Sequence, residues 1–209
     1  MYNQIKFTQN YADGGNMKQK KSEITREKIF QASIKMFREK GYLATRTIDI
    51  TNEIGISHAS FFTYFKTKEN IIIELFYRSD LMYKDFFEKS QSPDAITHLL
   101  NFIKMQFEFF EDNFNYEIAS IMYSTETSLN NKTDYLISKE RNTYKFLKEI
   151  VNEGIKNEQF IEMDLDKLTD IIHRTQRGIV FDWILHKGDY SLVDVGEDTF
   201  KNLLDGIKR

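Results

Sequence analysis

Thr45-Arg-Thr-Ile-Asp-Ile-Thr-Asn-Glu-Ile-Gly-Ile-Ser-His-Ala-Ser-Phe-Phe-Thr-Tyr-Phe65 reads as helix, tight turn, helix. Gly55 stands where the first helix must stop, because glycine enters the left-handed backbone region at low cost. Ser57 then offers a hydroxyl to cap the second helix. Two short helices joined in this way form a helix-turn-helix, whose second helix enters a DNA major groove.

On this reading residues 57–65 are the recognition helix. His58, Ala59 and Ser60 in its first turn, and Thr63 in the next, are short enough to bring the helix close to base edges. Tyr64, Lys66 and Lys68 are expected on phosphates, as are Arg46 and Thr47 at the start of the preceding helix; such contacts position the protein without reading sequence. Phe61 and Phe65 are expected to point inward onto Ile29, Phe37, Ile50 and Ile54. Phe62 is open between plain packing and the exposed face.

Residues 25–76 resemble the N-terminal DNA-binding domain of the TetR family of transcriptional regulators. The likeness rests on Thr25-Arg-Glu-Lys-Ile-Phe at the opening, Gly41-Tyr42 and Thr45, Asp49-Ile50, Gly55-Ile56-Ser57, and Tyr64-Phe65-Lys66-Thr67-Lys68-Glu69. The chain departs from the family's habits at Arg46, Thr47, Ile48, Thr51, His58 and Phe62, all in or beside the expected contact set. The resemblance implies a homodimer on a palindromic operator and a helical body that holds a small-molecule inducer.

Charge is divided in the same sense. Residues 17–70 carry eleven Lys/Arg against six Asp/Glu, and residues 71–209 carry seventeen against twenty-five. A basic head on an acidic body suits a protein that presents one end to a polyanion. The 209-residue chain has no cysteine, which removes disulfides, thiolate metal sites and cysteine nucleophiles. No apolar run of about 18 residues and no signal peptide is present, so no membrane partner and a cytoplasmic location are expected. His58, His98, His173 and His186 show no ligand spacing, and no P-loop, Gly-x-Ser-x-Gly or dinucleotide motif occurs, so neither metal, cofactor nor enzymatic activity is expected.

With one proline and nine glycines, the chain is expected to be all-α. Residues 1–16 are expected to form a flexible arm, with Met17 an alternative translation start. Lys18, Lys20 and Lys21 are a disordered tail or a basic arm reaching a minor groove. Residues 17–70 are the expected DNA-binding domain, with its helix-turn-helix at about 46–65. Residues 71–209 are the expected effector-binding and dimerisation domain. Its helices are placed at about 67–87 (the link between head and body), from the Ser92-Pro93-Asp94 start signal to 113, at 116–127, 133–157, from 164 or 166 past Ile184, and 193–207. Asn130-Asn131 is a loop.

Half of the 30 aromatic residues lie within residues 71–146. Phe102, Met105, Phe109, Phe110, Phe114, Tyr116, Tyr123 and Tyr144 are lining candidates for an apolar ligand cavity, with ordinary core as the other reading. His98, Asn101, His173 and Gln176 are its candidate polar anchors. Gly178, Phe181, Ile184, Phe200, Leu203, Leu204 and Ile207 are expected in a dimer interface made by the last two helices, against an intrachain use of the same stripes. Two rival functions remain from the residues: a DNA-binding co-regulator answering to a protein partner, and an enzyme or small-molecule carrier.

Overall fold

The computed structural model describes residues 17–128 and 134–209. The expected N-terminal arm, the Asn130-Asn131 loop and the expected start of the seventh helix near Thr133 lie outside the described residues. Nine α-helices occur among those described: α1 Met17–Lys40, α2 Thr47–Glu53, α3 His58–Tyr64, α4 Glu69–Ser90, α5 Ala95–Asn113, α6 Tyr116–Thr127, α7 Asn142–Lys156, α8 Leu165–Leu185 and α9 Leu192–Ile207. A 3-10 turn, Tyr135–Ile137, precedes α7. No described helix is long and apolar enough to cross a membrane.

Lys20 and Lys21, expected in a tail or arm, are already helical in α1. Residues 134–141, expected in the seventh helix, hold the 3-10 turn and irregular backbone instead; α7 begins at Asn142, whose backbone N–H Asp80 accepts at 2.9 Å. The start of α5 is also rearranged. Ser92 was the expected cap with Pro93 as the first helical residue, but Asp94 takes the cap, accepting the Thr97 N–H at 2.9 Å. An ionised cap opposes the positive helix end better than a hydroxyl.

The chain divides into two compact units, one ending at Arg78 and the other starting at Ser79. The division falls inside α4, eight residues beyond the 70/71 boundary expected from charge. Arg78 explains the shift: its guanidinium pairs with Glu27 of α1 at 2.7 Å, pairs with Glu74, and lies 3.9 Å from the centre of the Phe30 ring.

The second unit is built on α5. Its Leu99, Phe102, Ile103 and Phe107 are all essentially inaccessible. Gly196 of α9 meets it closely, since a Cβ there would lie 2.3 Å from the Phe107 ring. Phe109, Phe110 and Phe114 interlock edge-on with Phe86 and Trp183, at centroid distances of 4.8–6.1 Å. These three rings are buried in the core.

Candidate functional site

The first unit places α3 on a rigid base. Gly55 takes φ +69° with open space around its missing Cβ, so backbone geometry alone demands glycine there. The turn closes by Ile56 N–H donating to the Thr51 carbonyl at 3.0 Å. Ser57 caps α3, accepting the Ser60 N–H at 3.2 Å. Phe61 and Phe65 are buried beneath, with Ile29, Phe37 and Ile50 buried in the same unit; Ile54 is only half-buried. Arg26 covers the Phe65 ring at 4.7 Å and pairs with Glu74, tying α1 to α4.

The outer face of α3 carries His58, Ala59, Phe62 and Thr63, all exposed, with Ser60 and Tyr64 half-buried. His58 Nε2 lies 2.9 Å from the Thr47 hydroxyl, so the first residues of α2 and α3 are brought together. Phe62 is 49 % exposed and meets His58 edge-on at 5.2 Å. It therefore belongs to the outer face, a placement that helical spacing left open. Lys66 is exposed just beyond α3.

Two expected phosphate contacts differ in the structure. Lys68 is turned inward: its ammonium donates to the Tyr42 and Thr45 carbonyls at 2.6 and 2.8 Å and sits 4.0 Å from the Tyr42 ring centre. It closes the loop between α1 and α2, because those carbonyls follow a helix end and need a donor. Arg46 is exposed, but Asp49 engages its Nε and Nη2 at 2.9 and 2.8 Å. The same hydrogen bonds hold the Asp49 carboxyl below its ordinary range. Arg46 thus offers a partly neutralised charge.

In the second unit the expected pocket residues separate. A cavity of about 390 Å³ is lined by Phe87, Gln91, Ser92, Pro93, His98, Glu149 and Glu153. Of the expected anchors, only His98 lines it. His98 Nε2 is buried without a hydrogen-bond partner among the described residues, and burial pushes its pKa down against weaker pulls from the Phe87 carbonyl, Glu153 and Glu149. Asn101 faces outward and is exposed, because α5 turns its apolar stripe to the core and leaves that position on the far side. Phe102 is fully buried edge-on against Phe87 and Phe146, Phe109 belongs to the aromatic core, and Met105 is half-buried.

Tyr123, Tyr144, His173 and Gln176 gather along α8 instead. The Gln176 amide donates to Gln106 Oε1 at 2.9 Å, and Thr143 donates to the same oxygen at 2.7 Å. The Tyr144 hydroxyl donates to Asp170 at 2.8 Å and the Tyr123 hydroxyl to the Arg177 carbonyl at 3.1 Å. Burial first, and then Arg177 and Arg141, push the His173 pKa down to about 3. Arg141 and Arg177 escaped the sequence reading, since isolated arginines on helices carry no pattern.

The expected interface residues also divide. Phe200, Leu204, Ile207 and Ile184 are buried inside the single chain; Phe200 stands 6.2 Å from Phe107 across the α5–α9 contact. Their stripe serves the intrachain core. Gly178 and Phe181 are exposed, Leu203 is half-buried, and Leu185 and Val195 are large apolar residues left 63 % and 39 % exposed.

A family profile described as "Bacterial regulatory proteins, tetR family" matches residues 29–75, which span α2 and α3. The fatty acid metabolism regulator protein of Bacillus subtilis is 24 % identical over 199 residues, covering 91 % of this chain and 98 % of its own length. The HTH-type transcriptional repressor KstR2 of Mycobacterium tuberculosis is 24 % identical over 195 residues, covering 88 % and 93 %. The crystal structure of the transcriptional regulator FadR from Bacillus subtilis, in complex with stearoyl-CoA, superposes with a TM-score of 0.61 at 23 % identity, covering 86 % of this chain and 98 % of that one.

Proposed function

The chain belongs to the TetR family of transcriptional regulators, and from that membership we propose a dimeric repressor released from its operator by a long-chain acyl compound. DNA binding is the activity of the first unit. The observation that carries this reading is the outer face of α3, with His58, Ala59, Phe62 and Thr63 exposed over a buried Phe61–Phe65 base. A face held this rigidly approaches base edges without an ordering cost, while Lys66 adds a phosphate contact.

Two such helices on a two-fold axis would read a palindrome whose half-sites lie about 34–36 Å apart or a multiple of that. The exposed Gly178, Phe181, Leu185 and Val195 are the proposed seam with a second copy. The acyl class is inferred from the Bacillus subtilis match, which is named for fatty acid metabolism, and from the Bacillus subtilis FadR structure, which holds stearoyl-CoA. An effector that prefers one arrangement of the dimer shifts the equilibrium by its differential affinity, and about 1–3 kcal/mol of coupling changes DNA affinity about 5–150-fold.

The test is selection of duplex sites from a random pool, followed by gel shift with the selected site in varied salt. A palindromic consensus is expected, and stearoyl-CoA should weaken the complex. Lys66→Ala should lower the salt slope by about 0.9 per lost contact per subunit, whereas Lys68→Ala should act mainly on stability. Failure to enrich any sequence at low salt would sink the reading.

A further inference from the structure

Arg177 of α8 is a half-buried guanidinium with no carboxylate partner among the described residues. Its Nη1 donates to the Leu136 carbonyl at 3.0 Å, a neutral acceptor. One residue earlier in the same 3-10 turn, the Tyr135 ring lies 4.2 Å from the Arg141 guanidinium. Two guanidinium groups thus sit on neighbouring residues of one short turn. Arg141 is satisfied: it is 9 % exposed and bonded through Nε to Asp80 at 3.2 Å.

The other carboxylates nearby are committed as well. Asp80 also accepts the Asn142 N–H, and Asp170 accepts Tyr144 and pairs with Lys139 and Arg174 at 3.4 and 3.2 Å. Glu126 accepts the Leu136 N–H at 3.0 Å. Lys139, Arg141, Arg174 and Arg177 therefore outnumber Asp80, Asp170 and Glu126. One turn before Arg177 on the same face of α8 stands His173, 4 % exposed and without a hydrogen bond among the described residues. A guanidinium half-withdrawn from water without an anion is costly. Burial, followed by Arg141 and Arg174, lowers the Arg177 pKa against the opposing pulls of Tyr123 and, more weakly, Asp170.

We propose that Arg177, with His173 as a second donor, is the seat for the anionic group of the body's effector, a carboxylate or phosphate. This rests on the acyl-effector reading and adds to it the residue that holds the charged end. A guanidinium fork matches either oxyanion with two parallel N–H donors. A ligand anion would supply the counter-charge that the fold leaves out.

Calorimetric titration of the full chain with stearoyl-CoA, stearate and neutral stearyl alcohol tests it, in wild type, Arg177→Gln and Arg177→Lys. Wild type should bind an anionic ligand and bind the alcohol at least about tenfold more weakly, and Arg177→Gln should lose at least about tenfold for the anion. Arg177→Lys keeps the charge and should fall between; it serves as the reading if the Gln variant unfolds. A loss confined to stearate assigns a carboxylate, and one confined to stearoyl-CoA a phosphate. Anionic ligands held equally by all three proteins would overturn the seat while leaving the acyl reading intact. No binding of any of the three ligands to wild type would overturn the acyl reading, and the seat with it.

Discussion

Single residues show how burial converts chemistry. His173 has an ordinary imidazole character in the unfolded chain, but burial and two nearby guanidinium groups push its folded pKa to about 3. A depressed pKa means that the unfolded state binds the proton first. Stability is therefore fully present above the unfolded value of about 6.5 and is lost as pH falls from there toward 3. Between pH 7 and pH 5 the loss from this one group should be about 2 kcal/mol. Urea unfolding should show the decline in wild type and a shallower one in His173→Asn. Equal slopes in the two proteins would mean that His173 is hydrated in the fold. Lys68 teaches the same lesson without titration: a lysine expected on phosphate is spent on two loop carbonyls.

Among the elements, the contact between α5 and α9 turns on a missing side chain. Alanine is the better helix former by about 1 kcal/mol, so propensity alone favours Gly196→Ala. The Cβ, however, would stand 2.3 Å from the Phe107 ring, which is fully buried beside Phe200. Overpacking costs about 1–3 kcal/mol, and the ring has little room to yield. The expected outcome is a net loss in urea midpoint at unchanged m-value. A variant as stable as wild type would show that Phe107 can swing aside. Gly55 acts by a different route, since its surroundings are open and only its φ of +69° excludes other residues.

For the whole molecule, the proposed dimer requires an apolar surface that a second copy covers. Leu185 is 63 % exposed and Leu204 is 3 % exposed, although both lie on the last two helices. Leu185→Glu should leave each chain folded, give a monomer in sedimentation and weaken palindrome binding in gel shift. Leu204→Glu should instead unfold the second unit, because an unpaired charge in an apolar core costs several kcal/mol. A Leu185→Glu protein that remains dimeric would place the interface away from the end of α8.

The helix-turn-helix was legible in the chain because its signals are local. Gly55 in the turn, Ser57 as cap and the spacing of Phe61 and Phe65 act over one or two helical turns, where sequence order and spatial order coincide. The same holds for α6, whose expected limits 116–127 match Tyr116–Thr127. The resemblance to the TetR family followed from that segment, since its motif string lies within about fifty consecutive residues. What the tertiary structure decided involves partners far apart in sequence. Asp80 accepts the first N–H of α7 from 62 residues away, and Gln106 gathers Thr143 and Gln176 from two other helices. Whether Leu204 or Leu185 meets solvent depends on which side of each helix faces α5, and an apolar stripe looks the same whether its cover is this chain or another. Arg177 became visible as a site only once folding had brought every neighbouring carboxylate to a different partner, because an uncompensated charge is a property of its surroundings and not of its residue type.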